Sequence, residues 1–196
     1  MSSDTSSASF FEAKYAAKPD PWSFETDAYE QMRYRRIVEA LDGRLYWRAF
    51  EPGCSVGVLT ERLASYCHLL EAIDASPTAA ARARKRCQSR SNVNISVGVL
   101  PENLPNGEFD LIIFSEIGYY FSQYDLTGLV DLIVNRLCPG AVLLAAHWLG
   151  ESSDHKLTGD EVHGVISLHD GLENTLSYRH EESQRARFRL DRWVKA

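Results

Sequence analysis

The sequence has few of the patterns by which cysteine and histidine build metal sites. Its four cysteines include no Cys-x-x-Cys pair and its six histidines show no matched set of ligands, so we expect no bound metal. No charged-then-apolar leader precedes the cysteines, which favours a cytoplasmic protein with reduced thiols.

Long apolar runs and an excess of positive charge are also missing. No stretch approaches the roughly 18 to 20 apolar residues that cross a bilayer, so we expect no membrane partner. The net charge of -6 at pH 7 argues against nucleic acid, because phosphate binding needs a basic surface. Two arginine-rich stretches, 82–86 and 185–192, alternate with alanine or apolar residues and are interpreted as solvated faces.

The remaining composition is typical of one globular domain. It is 44% hydrophobic and 24% charged, and we place a single domain at residues 19–196. The chain opens on a serine-rich stretch with too little apolar surface to offset the entropy of ordering. Residues 1–18 are therefore predicted to form a disordered tail.

Short apolar runs alternate with helical patterns along the domain. Strands are predicted at 45–50, 69–73, 93–97, 111–114 and 142–146, and helices at 29–41, 56–67, 77–86 and 123–137, the last ending at Cys138-Pro139-Gly140. A helix at 160–168 then precedes two alternating strands at 175–181 and 187–194. This order predicts an α/β fold: a mostly parallel sheet with helices on both faces and a C-terminal antiparallel strand pair.

The strongest local signal is the turn Glu-Pro-Gly-Cys-Ser-Val-Gly at 51–57, between the first strand and the first crossover helix. Small residues there let a nucleotide-like ligand approach the backbone, although a tight turn without a ligand explains them too. Ser55 and Val58 replace the second and third glycines of a dinucleotide fingerprint, so an NAD enzyme is the weakest alternative.

Two further segments fit a nucleotide. Asp74 ends the second strand, near the roughly 20-residue spacing at which an acid binds ribose hydroxyls. It would also serve as a helix cap, but Ser76 before Pro77 supplies that cap. Val99 and Leu100 follow the third strand, where an adenine ring would pack, although a plain loop explains them equally well.

The fourth strand ends in Glu116, followed by Tyr119 and Tyr120, and the fifth ends in His147-Trp148. Ligands bind at the carboxyl ends of parallel strands, so we expect Glu116 and at least one tyrosine there, with core packing the alternative for each tyrosine. His147 would accept a proton near neutral pH, although a lone histidine is more often structural. On the next helix, Asp160 shares a face with His163 and would orient its ring.

Together these residues resemble class I S-adenosylmethionine (SAM) dependent methyltransferases, and within them the nodulation protein S family of N-methyltransferases. The resemblance runs from about Asp20 to Trp193 and rests on Asp20-Pro21-Trp22-Ser23-Phe24, Tyr29-Glu30, Arg33-Tyr34, residues 51–60, Asp74, Phe109-Asp110-Leu111-Ile112, Ser115-Glu116, Tyr119-Tyr120, His147-Trp148 and Gly159-Asp160 with His163. It implies a Rossmann-like fold and SAM as the cofactor. It also implies methylation of the free amine of a partly de-acetylated chitin oligosaccharide, in oligosaccharide biosynthesis for nodulation.

The resemblance further implies where each ligand binds. Trp22, Tyr29 and Arg33 would cover the cofactor, Glu51, Gly53 and Gly57 would hold its methionine end, and Asp74 its ribose. Ala75, Val99, Leu100 and Ser115 complete the expected cofactor site, and Tyr119, Tyr120 and Trp148 form the expected substrate site. Because Val99 stands where many methyltransferases carry an acid, the adenine amine would meet the backbone instead.

An amine must lose a proton before it attacks, and we rank Glu116, His147 and His163 in that order as the base. Two other functions stay open at this point. The protein would either methylate a different small molecule, or bind SAM without catalysis as a sensor does.

Overall fold

The computed structural model describes residues 8–183 and 185–196 and has a seven-stranded sheet at its centre. Its strands are β1 (Tyr46–Pro52), β2 (Cys67–Asp74), β3 (Val93–Val97), β4 (Phe109–Ser115), β5 (Leu137–Trp148), β6 (Leu172–Glu181) and β7 (Arg187–Lys195). Its helices are α1 (Ala8–Ala17), α2 (Ala28–Glu39), α3 (Val58–Leu63), α4 (Pro77–Arg86), α5 (Gln123–Arg136) and α6 (Gly159–Ser167), with 3-10 turns at Ala64–Tyr66 and Gly118–Tyr120.

The strand order is β3-β2-β1-β4-β5-β7-β6. The first five strands are parallel, and β7 runs antiparallel to both β5 and β6. This confirms the predicted α/β fold with a C-terminal antiparallel pair. The chain winds outward in both directions from β1 and β4, so their carboxyl ends open the crevice in which such sheets bind ligands.

Alternating side chains of each strand supply two cores, one on each face of the sheet. On β4, Leu111 and Ile113 pack with residues of α2 and α3, whereas Ile112 and Phe114 pack with residues of α5 and α6. The helices begin where the sequence offers a cap, as at Ser76, whose hydroxyl accepts from the backbone N–H of Ala79. Helices on both faces leave only the ends of the strands for a ligand.

The first helix corrects the prediction of a disordered tail at 1–18. Residues 1–7 lie outside the described part of the chain, but Ala8–Ala17 is helical, so the prediction is wrong for that segment. Phe11 and Tyr15 lie one helical turn apart and supply the apolar face: Phe11 packs edge-on against Tyr120, and the Tyr15 hydroxyl donates to Ser55 Oγ at 2.6 Å. The helix therefore lies along the edge of the crevice.

Two predicted boundaries also differ from the structure. The helix expected at 56–67 is the six-residue α3 followed by a 3-10 turn, and Cys67 already belongs to β2. The helix α5 ends at Arg136, and Cys138-Pro139-Gly140 does not form a loop but lies in the irregular first part of β5. A register shift opposite this segment, between Phe109 and Leu111, accommodates a proline that cannot donate to the ladder.

Membrane-spanning helices and metal-binding clusters are both absent from the described part of the chain. Within 8–183 and 185–196, no helix is long and apolar enough to cross a membrane. The same residues contain no group of three or more His, Cys, Asp or Glu side chains placed to hold a metal ion.

Glu12 anchors α1, and its removal tests whether the helix is held by this contact. Its carboxylate accepts from the hydroxyls of Ser76 and Thr78 and from the Thr78 backbone N–H at the start of α4. We predict that Glu12→Ala speeds hydrogen–deuterium exchange of the amides of residues 8–17 and leaves β1 and β4 protected. Glu39→Gln, on the exposed end of α2, is the control; unchanged exchange in Glu12→Ala would contradict the anchoring role.

Candidate functional site

A cavity of about 670 Å³ lies at the carboxyl ends of the parallel strands. Its volume is in the range of small-molecule and cofactor sites. Residues from the sheet, from α1 and α2 and from the loop after β5 line it: Phe11, Tyr15, Trp22, Phe24, Asp27, Tyr29, Glu30, Pro52, Gly53, Ser55, Ile73, Asp74, Ala75, Gly98, Val99, Leu100, Glu116, Ile117, Tyr119, Tyr120, Phe121, Asp125, Trp148, Ser152, Asp154, His155, Lys156, Arg185 and Ala186. We call this space the cleft.

A second, smaller cavity of about 30 Å³ shares residues with the cleft, among them Gly53 and Glu116. Arg33, Glu51 and Ser115 line only this smaller space, which we call the charged recess. Two of its buried polar atoms, Glu51 Oε2 and Arg33 Nε, have no hydrogen-bond partner. Buried polar atoms are rarely left unpaired, so these two atoms are available to a ligand or a water that offers both a donor and an acceptor.

The turn after β1 brings the backbone against both cavities. Gly53 adopts a left-handed φ of 74°, and a Cβ atom there would lie 2.4 Å from Ile117 Cγ2, so only glycine fits. Gly57, also left-handed, lines neither cavity; a Cβ there would lie 3.0 Å from Ala83 of α4. Ser55 has a positive φ of 53° despite its side chain, a strain that is typical of functional sites.

Asp74 fixes this turn and also faces the cleft. Its Oδ2 accepts from the backbone N–H of Ser55 at 2.8 Å, and its Oδ1 accepts from that of Ser76 at 2.9 Å. Burial raises the pKa of Asp74 to about 6, against the effect of these two hydrogen bonds. Each oxygen retains a lone pair for a ligand hydroxyl.

Glu51 is the buried carboxyl of the charged recess. It lies one residue before the end of β1 with its side chain almost fully buried, and burial raises the pKa of Glu51 to about 8. The carboxyl is therefore mostly protonated at pH 7 in the free protein. A cationic group placed beside Oε2 would favour the charged form and release that proton.

Arg33 is a fully buried cation that joins α2 to the end of β4. Its Nη1 lies 2.8 Å from Glu116 Oε2, and its Nη2 pairs with Glu30. Burial alone would lower the pKa of Arg33, but the two carboxylates outweigh it and hold that pKa well above the usual value. Burial raises the pKa of Glu30 to about 7, so the Glu30 carboxylate takes up a proton near neutral pH.

Glu116 stands where the cleft and the recess meet. Besides Arg33, its carboxylate accepts from the Trp148 backbone N–H at 2.7 Å and from the Tyr119 hydroxyl at 2.8 Å. Its φ of 61° is in the left-handed region, which costs a residue with a side chain roughly 1 kcal/mol or more. The surrounding contacts hold this strained conformation in place, and the carboxylate is already engaged on both oxygens.

His147 and His163 form a buried chain that lines neither cavity. The Gly118 N–H donates to His147 Nε2 at 3.1 Å, which leaves the proton of the neutral ring on Nδ1. His147 Nδ1 then donates to His163 Nε2 at 3.1 Å, and His163 Nδ1 donates to Asp191 Oδ2 at 2.8 Å. Burial lowers the pKa of both rings, so the chain is neutral at its histidines and supports the turn 118–120 from behind.

Most of the predicted site residues line one of the two cavities. The cleft is lined by Trp22, Tyr29, Gly53, Asp74, Ala75, Val99, Leu100, Glu116, Tyr119, Tyr120 and Trp148, and the recess adds Arg33, Glu51 and Ser115. Gly57, His147 and His163 support the walls from outside. Of the three ranked bases, only Glu116 therefore reaches the cleft.

Other residues contribute to the site without having been predicted from the sequence. Phe11 and Tyr15 had a helical spacing within the stretch assigned to the tail, which was a usable signal. Asp191 lies on a strand far along the chain from His163, and His155 lies in a loop between β5 and α6. Neither position carried a local pattern.

Comparisons with known proteins identify the family and the fold of the chain. The family model of nodulation protein S (NodS) matches residues 5–151. Nodulation protein S from Sinorhizobium fredii is 37% identical over 63% of this chain, and that from Bradyrhizobium diazoefficiens is 31% identical over 65%. These matches span 58% and 62% of the two relatives, or about three fifths of their length.

A solved structure gives the same fold. The crystal structure of the N-methyltransferase NodS from Bradyrhizobium japonicum WM9, in complex with S-adenosyl-L-homocysteine, matches with a TM-score of 0.86 at 22% identity. The match covers 96% of this chain and 98% of that one. It confirms the Rossmann-like fold of methyltransferases.

The buried histidine chain gives a prediction about stability. Asp191→Ala would leave the His163 Nδ1–H without its acceptor in the core, which costs about 1 to 3 kcal/mol. We expect urea unfolding to show a loss of that size, whereas the exposed control Asp170→Ala should change stability by less than about 0.5 kcal/mol. Equal effects of the two substitutions would show that the chain contributes nothing.

Proposed function

Because the chain belongs to the nodulation protein S family, we propose that it is a SAM-dependent methyltransferase that methylates a free amine of a sugar, as on a partly de-acetylated chitin oligosaccharide. The observation that carries the proposal is the pair of adjoining cavities, one small and charged and the other large and lined by aromatic rings. SAM is divided in the same way, because its amino-acid end is small and charged and its nucleoside is larger and aromatic.

The residues present fit this cofactor. The two orphaned atoms of the recess, Glu51 Oε2 and Arg33 Nε, are an acceptor and a donor for the ammonium and carboxylate of an amino acid. Asp74 offers acceptors for ribose hydroxyls, and Gly98, Val99 and Leu100 offer backbone and apolar surface for an adenine. Trp22 and Tyr29 cover the cleft from the segment that leads into α2 and from α2 itself.

The chemistry needs little from the protein beyond position. When bound, SAM supplies a methyl group that is activated by its attachment to a sulfonium. Holding an acceptor in line with that methyl group can lower the barrier by about 7 to 11 kcal/mol. Glu116, held by Arg33, Tyr119 and Trp148, presents a fixed negative charge at the junction where cofactor and acceptor meet.

The charge of the cleft favours a cationic acceptor such as an amine. Its acidic lining residues are Asp27, Glu30, Asp74, Glu116, Asp125 and Asp154, against two basic ones, Lys156 and Arg185. Aromatic rings line the part of the cleft beside Trp148, which we call the acceptor side. The Trp148 ring packs directly on Gly150, because a Cβ atom at position 150 would lie 1.8 Å from it. A ring fixed in this way provides a flat surface for the apolar face of a sugar.

Mass spectrometry tests the proposed reaction. The protein is incubated with SAM and a chitin oligosaccharide whose terminal sugar carries a free amine, and the expected product is heavier by one methyl group on that amine. The fully acetylated oligosaccharide is the matched control. Methylation of neither, in a sample that binds SAM, would favour another acceptor or a sensor.

Proton release on binding tests the assignment of the recess. We predict that S-adenosylhomocysteine binding at pH 7 releases close to one proton, because its ammonium converts Glu51 from the protonated to the charged form. Calorimetry in two buffers of different ionisation enthalpy measures this number. Glu51→Gln should bind more weakly and release clearly fewer protons, and the control Glu61→Gln, partly buried on α3 and outside both cavities, should behave as the unaltered protein does. Undiminished release in Glu51→Gln would refute the assignment.

Two substitutions should separate binding from turnover. Asp74→Ala removes charge-assisted hydrogen bonds worth about 1.5 to 3 kcal/mol, so S-adenosylhomocysteine affinity should fall at least about tenfold. Glu116→Gln should retain that affinity within a few-fold and slow methyl transfer, because the charge at the junction is lost. Calorimetry and product assays measure the two effects, and normal turnover in Glu116→Gln would remove Glu116 from the mechanism.

A further inference from the structure

His155 lies in the loop between β5 and α6, beyond the last residue matched by the family model, and lines the cleft. Its ring stacks on that of Tyr119, with centroids 3.7 Å apart and planes 15° apart. The rings of Tyr120 and Trp148 meet it edge-on at 5.3 and 6.1 Å. The imidazole is thus the one ring with a titratable nitrogen among the aromatic groups on the acceptor side.

The backbone holds this ring in place. The N–H groups of Lys156 and Leu157 both donate to the Tyr119 carbonyl, at 2.8 and 3.2 Å. The His155 N–H donates to the Ser152 carbonyl at 3.1 Å, which closes the turn. Stacking and backbone pairing therefore tie His155 to the same tyrosine whose hydroxyl donates to Glu116.

His155 also retains its capacity to take a proton. Its Nδ1 is buried without a hydrogen-bond partner and can carry the proton of the neutral ring, which leaves the lone pair on Nε2, and Nε2 also has no hydrogen-bond partner among the described residues. Burial lowers the pKa of His155, while the carboxylates of Asp154 and Glu116 act in the opposite direction. Tyr119 and Tyr120 are the other titratable groups in contact with the ring, and Lys156 follows it in the chain. The ring is neutral at pH 7, as a base must be.

The other candidates are less free. Both oxygens of Glu116 already accept hydrogen bonds, and one also pairs with Arg33. His147 and His163 are fully buried behind the wall of the cleft. Each has both ring nitrogens engaged.

We propose that His155 is the catalytic base that takes the proton from the acceptor amine, a role that rests on the proposed function. An ammonium group gives one N–H proton to a nitrogen of the neutral ring and becomes an amine with a free electron pair. That pair forms the new N–C bond, while the methyl–sulfur bond breaks and its electrons stay on sulfur. The product is a methylated ammonium and a neutral thioether, and the imidazolium returns its proton to water.

His155→Phe is the variant that tests this role, because phenylalanine keeps the stacking on Tyr119 and cannot take a proton. With the de-acetylated chitin oligosaccharide at a pH well below the pKa of its amine, we expect its kcat to fall by about 10²-fold or more, within the usual effect of a general base. The rate should recover as the pH approaches the pKa of the amine, where the acceptor arrives already neutral. His68→Phe, an exposed histidine outside the cleft, is the control and should keep the normal rate and pH profile.

A second readout does not depend on turnover. In the protein without ligand, nuclear magnetic resonance of the histidine ring protons, assigned by their loss in His155→Phe, should show the His155 ring neutral at pH 7. A ring that is protonated at pH 7 would overturn the proposal.

Binding of S-adenosylhomocysteine separates the two proposals. If His155→Phe binds it normally and methylates at the normal rate at every pH, His155 is not the base and the proposed function stands. If the unaltered protein does not bind it, the proposed function itself fails, and the role of His155 fails with it.

Discussion

The buried ion pair between Arg33 and Glu116 is the constraint on which the rest of the site depends. Arg33 is fully buried, and Glu116 supplies a second counter-charge beside Glu30 of α2 itself, so the pair favours a position of α2 against the end of β4. That position brings Tyr29 and Glu30 over the cleft. It also holds Glu116 in a left-handed conformation that the residue would not adopt alone.

The site has two halves on either side of this ion pair, and they differ in charge and in aromatic content. The half proposed for the cofactor is charged and buried, and burial raises the pKa values of its carboxyl groups Glu51 and Asp74. The half proposed for the acceptor is aromatic, and the buried chain Asp191–His163–His147, whose two histidines are neutral, supports it from behind. His147 and His163 are buried with both ring nitrogens hydrogen-bonded, so they stabilise the wall of the cleft. A histidine that lines the cleft, as His155 does, can exchange a proton.

The sequence alone predicted the parts of this site that follow from strand ends. Glu51, Asp74 and Glu116 each lie at or directly after the end of a parallel strand, and the topology of the sheet places all three at one edge. It did not predict α1, whose order depends on contacts of Phe11, Glu12 and Tyr15 with distant segments. It also did not separate His147 from His155, because burial and hydrogen bonding, which decide their roles, come from pairing between β5, β7 and α6.

A crystal structure with S-adenosylhomocysteine tests the central claim most directly, that the recess and the cleft together form the cofactor site. The account predicts the amino-acid end of the ligand between Glu51 and Arg33, its ribose hydroxyls on Asp74 and its adenine beside Val99 and Leu100. A ligand bound elsewhere, or one that leaves Glu51 and Arg33 without contact, would contradict it.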